Sequence, residues 1–119
     1  MENPDQFAMP ADAMISKALD AMWARHRSEI LERVTVLEAA AQAVTTNQLP
    51  SSDRAAAHAA AHKLAGTLGM FNLAHGTDLA RELEQNYSRE SAPPAASGKQ
   101  LASMAAELRA MIENRKSSS

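Results

Sequence analysis

The sequence predicts an all-α protein, an antiparallel bundle of about four helices, and three observations predict it. Aromatic residues make up only 3% of the chain, and alanine, leucine and methionine, all strong helix formers, supply most of the apolar side chains. β-Branched residues are few, and no run alternates apolar and polar side chains as a half-buried strand requires. Four segments instead repeat their apolar residues at spacings of three and four, the period of a helix with one buried face. The chain has 119 residues, enough for one domain. An apolar share of 45% against 22% charged is ordinary for a globular core with a solvated surface.

Residues 1–10 read as an N-terminal extension. An extra N-terminal capping helix is an open alternative, with Phe7 and Met9 folding back over one end of the bundle. The bundle itself is expected over residues 11–113. Its first segment, Ala11 to Val44, carries Ile15, Leu19, Met22, Trp23, Ile30, Val34, Leu37, Ala41 and Val44 on one stripe, with His26 in its one gap. Neither proline nor glycine interrupts it, so it is one long helix or two joined by a kink near Arg25–Ser28. Trp23 and the methionines read as core. Thr45-Thr46-Asn47 weakens the helix and Leu49-Pro50 ends it. Ser51-Ser52-Asp53 is a helix start, with hydroxyls to cap and an acid in the first turn. The second helix then runs to Gly69 or Phe71. A third is expected to open near Thr77-Asp78, carrying Leu79, Leu83 and Tyr87 inward. His75 falls in the turn before it. Two prolines and a glycine make 91–98 a loop; Pro93-Pro94 lacks the spacing of a proline-rich recognition motif. The last helix places Leu101, Met104, Ala105, Leu108, Met111 and Ile112 on one stripe, and residues 114–119 read as a frayed tail.

Several function classes lose support. A net charge of −2 and a pI near 6.1 give no basic footprint for nucleic acid. The absence of cysteine removes disulfide, zinc-thiolate and thiol chemistry. No segment approaches the roughly 18 apolar residues of a membrane span. The acidic N-terminus lacks the apolar core of a signal peptide, so a cytoplasmic protein is expected.

The second helix reads unlike the others. On a wheel of about 100° per residue, Ala57, Ala61, Leu64, Leu68 and Phe71 fall within about 80° of arc and form the core face. His62 stands about 140° from the centre of that arc, hence toward solvent. Ala55, His58, Ala59, Gly66 and Gly69 share its facet, and all but His58 are small. Two interior glycines cost a helix roughly 1 kcal/mol each relative to alanine, a cost that a close-approaching partner explains. A neutral imidazole is a nucleophile near pH 7. Phosphoryl transfer asks mainly for positioning and charge stabilisation. Lys63 is the nearest cation in sequence. The i, i+4 pair His58 and His62 has metal-chelating spacing, but His26 and His75 are isolated and no second ligand pair is evident, so no metal site is expected.

The run Ala61-His62-Lys63-Leu64-Ala65-Gly66-Thr67-Leu68-Gly69 resembles the signature of histidine-containing phosphotransfer (HPt) domains, and Leu79-Ala80-Arg81-Glu82-Leu83-Glu84 resembles the family's next helix, where a Leu-Glu pair is common. The resemblance implies a four-helix bundle with an exposed histidine midway along one helix. It implies that His62 accepts and donates the phosphoryl group, Leu64 anchors the helix and Gly66 clears the approach of a receiver domain. Ala65 stands where the family usually has lysine, so either Lys63 or the partner supplies the local positive charge. The implied partners are a response-regulator receiver domain and a hybrid histidine kinase. Mg2+ is expected on the receiver, and no cofactor on this chain. No P-loop or acidic magnesium cluster is present, so a phosphocarrier is expected and not an enzyme. A bundle closed on itself is expected to be monomeric. The alternative is a helical interaction or adaptor module without phosphate chemistry.

Overall fold

A computed structural model describes the backbone of residues 4–115 and the side chains of residues 13–115. It contains four α-helices: α1 Pro4–Thr45, α2 Ser51–Met70, α3 Ala74–Tyr87 and α4 Gly98–Glu113. A 3-10 turn, Ala95–Ser97, leads into α4. No strand occurs among the described residues. The expected all-α bundle is the observed fold, and each helix runs antiparallel to the one it packs against.

No proline or glycine follows Pro10 in α1, the helix is continuous, and the alternative of a kink near Arg25–Ser28 is not realised. A separate N-terminal capping helix is not formed either, because the backbone from Pro4 already belongs to α1. The side chains of Phe7 and Met9, expected to cap the bundle, lie outside the described residues. The stripe on α1 is buried from Trp23 to Val44, but Ile15 is 59% exposed, against expectation, because α1 extends past the ends of its neighbours. Met14 and Met70 are likewise exposed, whereas Met104 is core.

Two asparagines turn the chain between helices. Asn47 and Asn72 adopt left-handed φ angles of 56° and 63°. After α1, the Gln48 N–H reaches the Ala43 carbonyl at 2.8 Å and the Asn47 N–H reaches Val44 at 3.0 Å. After α2, Leu73 N–H donates to Leu68 and Asn72 N–H to Gly69, at 3.0 and 3.2 Å. Both are Schellman closures, in which a short polar side chain tolerates the left-handed position. The second closure leaves so tight a turn that α3 begins at Ala74, three residues before the expected Thr77. His75 is thus inside the first turn of α3, where Nε2 pairs with Glu107 Oε1 of α4 at 2.8 Å.

The core is built from leucines between alanines. Leu37, Leu64, Leu83 and Leu108 are fully buried, as are Ala41, Ala57, Ala61, Ala80 and Ala105. Each buried leucine is worth roughly 1.5–3 kcal/mol relative to exposure, while the alanines let the helix backbones approach. Gly98 opens α4 so near the end of α1 that a β-carbon there would lie 2.1 Å from Thr45 Oγ1 and 2.8 Å from its backbone nitrogen. Only glycine fits that crossing. Farther along, Arg109 holds Glu38 of α1 through Nε–Oε2 and Nη2–Oε1 contacts of 2.9 and 2.7 Å. The hydrogen bond from Arg109 keeps the Glu38 carboxyl below its ordinary range, and Glu38 in turn raises the Arg109 guanidinium. At the other end Trp23 meets Phe71 edge to face, with centroids 5.0 Å apart. Arg115 lies over both rings at 4.8 and 5.4 Å and pairs with Asp20 at 3.2 Å. The expectation of a frayed tail therefore fails at Arg115, because cation–π stacking and an ion pair fasten it; residues 116–119 lie outside the described residues.

Candidate functional site

The core face of α2 turns the opposite side of that helix to solvent. Ala57, Ala61, Leu64 and Leu68 are at most 1% exposed, so the residue after Ala61 must leave the bundle. His62 does so, with 71% of its side chain exposed. Its facet is as bare as the sequence implies. Ala55, Ala59, Gly66 and Gly69 are exposed. A β-carbon on Gly66 would meet nothing within 4 Å, so no structural demand explains that glycine. On Gly69 a β-carbon would touch Thr77 Oγ1 at 3.5 Å, which puts Gly69 at the seam between α2 and α3.

That seam positions the imidazole. The buried Thr77 hydroxyl donates to the Ala65 carbonyl at 3.2 Å and fixes the register of α3 against α2. Seven residues along the same face, Glu84 reaches His62, with Nδ1 and Oε2 2.8 Å apart. A carboxylate only accepts, so the proton of the neutral ring sits on Nδ1 and the lone pair on Nε2. Nε2 has no protein partner among the described residues. His58, half-buried one turn before His62, brings its Nε2 to 3.6 Å from the same Glu84 oxygen. It is thus turned toward the seam and is less a free rim residue than its place on the wheel implies.

Lys63 is exposed, but it shares a stripe with Ala56, Thr67 and Met70, which line the two grooves between α1 and α2. His62 leans the other way, toward α3. The structure therefore brings His62, His58 and Glu84 together and leaves Lys63 on the opposite flank. Ala65, 7% exposed, faces the α3 seam. Beyond His58 lies a shallow groove lined by Arg54, Ala55, His58, Tyr87 and Ser88. Tyr87 is buried, its hydroxyl has no hydrogen-bond partner among the described residues, and desolvation pushes its phenol up to about 12. No group of three or more His, Cys, Asp or Glu among the described residues is arranged to hold a metal ion.

Glu84 is the residue of the candidate site that reading α2 by itself misses. The Leu83-Glu84 pair stands in the sequence, but only packing of α3 on α2 gives the carboxylate its target. The assembled site has an exposed nitrogen nucleophile, an acceptor behind the ring and open space in front of it. Nucleophilic attack on an electrophile brought by another molecule is the chemistry this geometry permits.

Comparison with known proteins gives two findings. The family model for the Hpt domain matches residues 21–117. Protein RcaC of Microchaete diplosiphon is 38% identical over 66 residues, which cover 56% of this chain and 10% of RcaC. The chain thus aligns with about a tenth of that relative's length. No solved structure matches.

Proposed function

The chain belongs to the Hpt domain family, a histidine phosphotransfer module of two-component phosphorelays, and from that premise we propose that the phosphoryl group travels on Nε2 of His62. The observation that carries this reading is the 2.8 Å bond from His62 Nδ1 to Glu84 on an otherwise exposed ring. In the proposed step the Nε2 lone pair attacks the phosphorus of a receiver's aspartyl phosphate. The P–N bond forms, the acyl P–O bond breaks, and the aspartate leaves as carboxylate. The ring keeps its Nδ1 proton and becomes cationic, and Glu84 offsets that charge where it develops. Running the same step backward delivers the group to a second receiver.

Ala55, His58, Ala59, Gly66 and Gly69 are proposed as the surface on which the receiver docks, since small side chains let its acidic pocket close around the imidazole. Lys63 is proposed as an outlying cation whose long stem swings toward the phosphoryl group. The partner brings the Mg2+ that neutralises its own carboxylates, and this chain contributes no cofactor. We read the chain as a monomeric carrier with no kinase or other catalytic activity of its own, working in the cytoplasm. Among the described residues no helix is long and apolar enough to cross a membrane.

The test is transfer from a phosphorylated receiver domain. Wild-type protein is expected to acquire acid-labile, alkali-stable phosphate, and His62→Gln to acquire none. Equal labelling of the variant, or an unlabelled wild type against a panel of receivers, would sink the proposal.

A further inference from the structure

We infer that Arg81, on α3, is the side chain that makes this protein's main contact with the phosphoryl group on His62. The inference rests on the phosphotransfer reading above and adds a residue to it. Thr77, Arg81 and Glu84 are spaced four and three apart, so they share one stripe of α3. Both ends of that stripe touch α2: Thr77 donates to the Ala65 carbonyl and Glu84 bonds His62. Arg81 therefore lies between two fixed contacts, opposite the turn of α2 that runs from His62 to Gly66. Its side chain is exposed, and among the described residues it forms no ion pair or hydrogen bond. The space it would enter is open, because even a β-carbon on Gly66 would meet nothing within 4 Å.

Charge gives this position its purpose. A phosphoryl group brings roughly −1.5 to −2 charges to Nε2. Glu84 already places a carboxylate on the other side of the same ring. Two anionic groups then flank one imidazole, and a cation is needed on the phosphoryl side. Other basic side chains, His58 and Lys63, adjoin His62 along α2. His58 is turned to Glu84, and Lys63 rises from the stripe that faces α1. Arg81 alone belongs to the stripe that carries Glu84. Its planar guanidinium donates two parallel hydrogen bonds to a phosphoryl group, a geometry an ammonium lacks.

Phosphoramidate is a probe that needs no partner protein. Nε2 of His62 attacks its phosphorus, the P–N bond of the reagent breaks, and ammonia leaves with the bonding pair. Labelling rate, phosphohistidine lifetime and the 31P chemical shift are measured for wild type, Arg81→Gln, Arg81→Lys and Lys63→Ala. Arg81→Gln is expected to label about three- to fivefold more slowly, the size of an exposed charge interaction, and to shift the 31P resonance. Arg81→Lys should recover most of the rate, and Lys63→Ala should lose less than Arg81→Gln. Salt at 1 M should bring wild type down to the Arg81→Gln rate, since screening then acts within about 3 Å. Wild-type rate and 31P shift in Arg81→Gln would overturn the assignment to Arg81 while leaving His62 as the carrier. Failure of wild type to label, or labelling of His62→Gln, would instead overturn the phosphotransfer reading beneath it.

Discussion

In the proposed transfer, His62 owes its chemistry to two residues with opposite contributions, Glu84 with a contact and Gly66 with an absence. Glu84 fixes which ring nitrogen keeps the proton, and Gly66 leaves the other nitrogen approachable. The second contribution is directly testable, because Gly66 sits in open space where a larger side chain costs the fold nothing. Gly66→Leu should therefore keep the thermal stability of wild type or raise it by up to about 1 kcal/mol, as better helix formers do. Transfer from a receiver should nevertheless slow on the order of 10- to 100-fold, since a misplaced approach is costly to a reaction that depends on alignment. Melting curves and transfer rates on the same sample separate the two effects, and unimpaired transfer would show that the facet is not the docking surface. His62, Gly66 and the small side chains that share their facet were legible in the sequence because they lie on one helix, where spacing alone fixes the facet. Glu84 and Arg81 were not, because their positions depend on how a second helix registers against the first.

Between helices, side chains and backbone closures set that register. Asn47 and Asn72 end α1 and α2 with the same left-handed turn, and the turn at Asn72 explains why α3 starts at Ala74. Thr77 and Asp78 look like a helix start because both residue types favour caps. The hydrogen bond from Leu73 to the Leu68 carbonyl takes precedence over that local preference. At the α1–α4 contact, Arg109 grips Glu38 and lowers the pKa of its carboxyl from the ordinary 4.5. A carboxyl that is more acidic in the folded chain than in the unfolded one adds stability at neutral pH. That contribution is complete above the ordinary value and disappears as pH falls through the lowered one. Acid should therefore weaken the α1–α4 contact below about pH 4.5, and Glu38→Gln should flatten this part of the stability curve. The effect is modest because the pair is partly exposed. Denaturant melts at pH 7 and pH 3 check it: an acid-induced loss as large in Glu38→Gln as in wild type would remove this pair from the account.

The whole molecule is far from spherical. Its radius of gyration is 17.6 Å and its extents are 67 × 21 × 20 Å, whereas a compact domain of this length would have a radius near 13–14 Å. The excess is α1, which spans the long dimension while its neighbours cover only part of it. Bundle architecture was readable from periodicity because every helix presents one apolar stripe. The overhang was not, because a stripe records which face is apolar and says nothing of where the partner helices stop; Ile15 continues the stripe and still faces solvent. One uninterrupted helix is consequently held together in two different ways. From Trp23 to Val44 its hydrogen bonds open only when the core opens. From Ala13 to Lys17 they rest largely on helix propensity, which stabilises a short isolated segment only marginally in water. Amide hydrogens along α1 should exchange on a gradient, those near Ile15 faster by orders of magnitude than those near Val34, where opening approaches global unfolding. Uniform protection along the whole helix would mean that something other than its own backbone supports the projecting end.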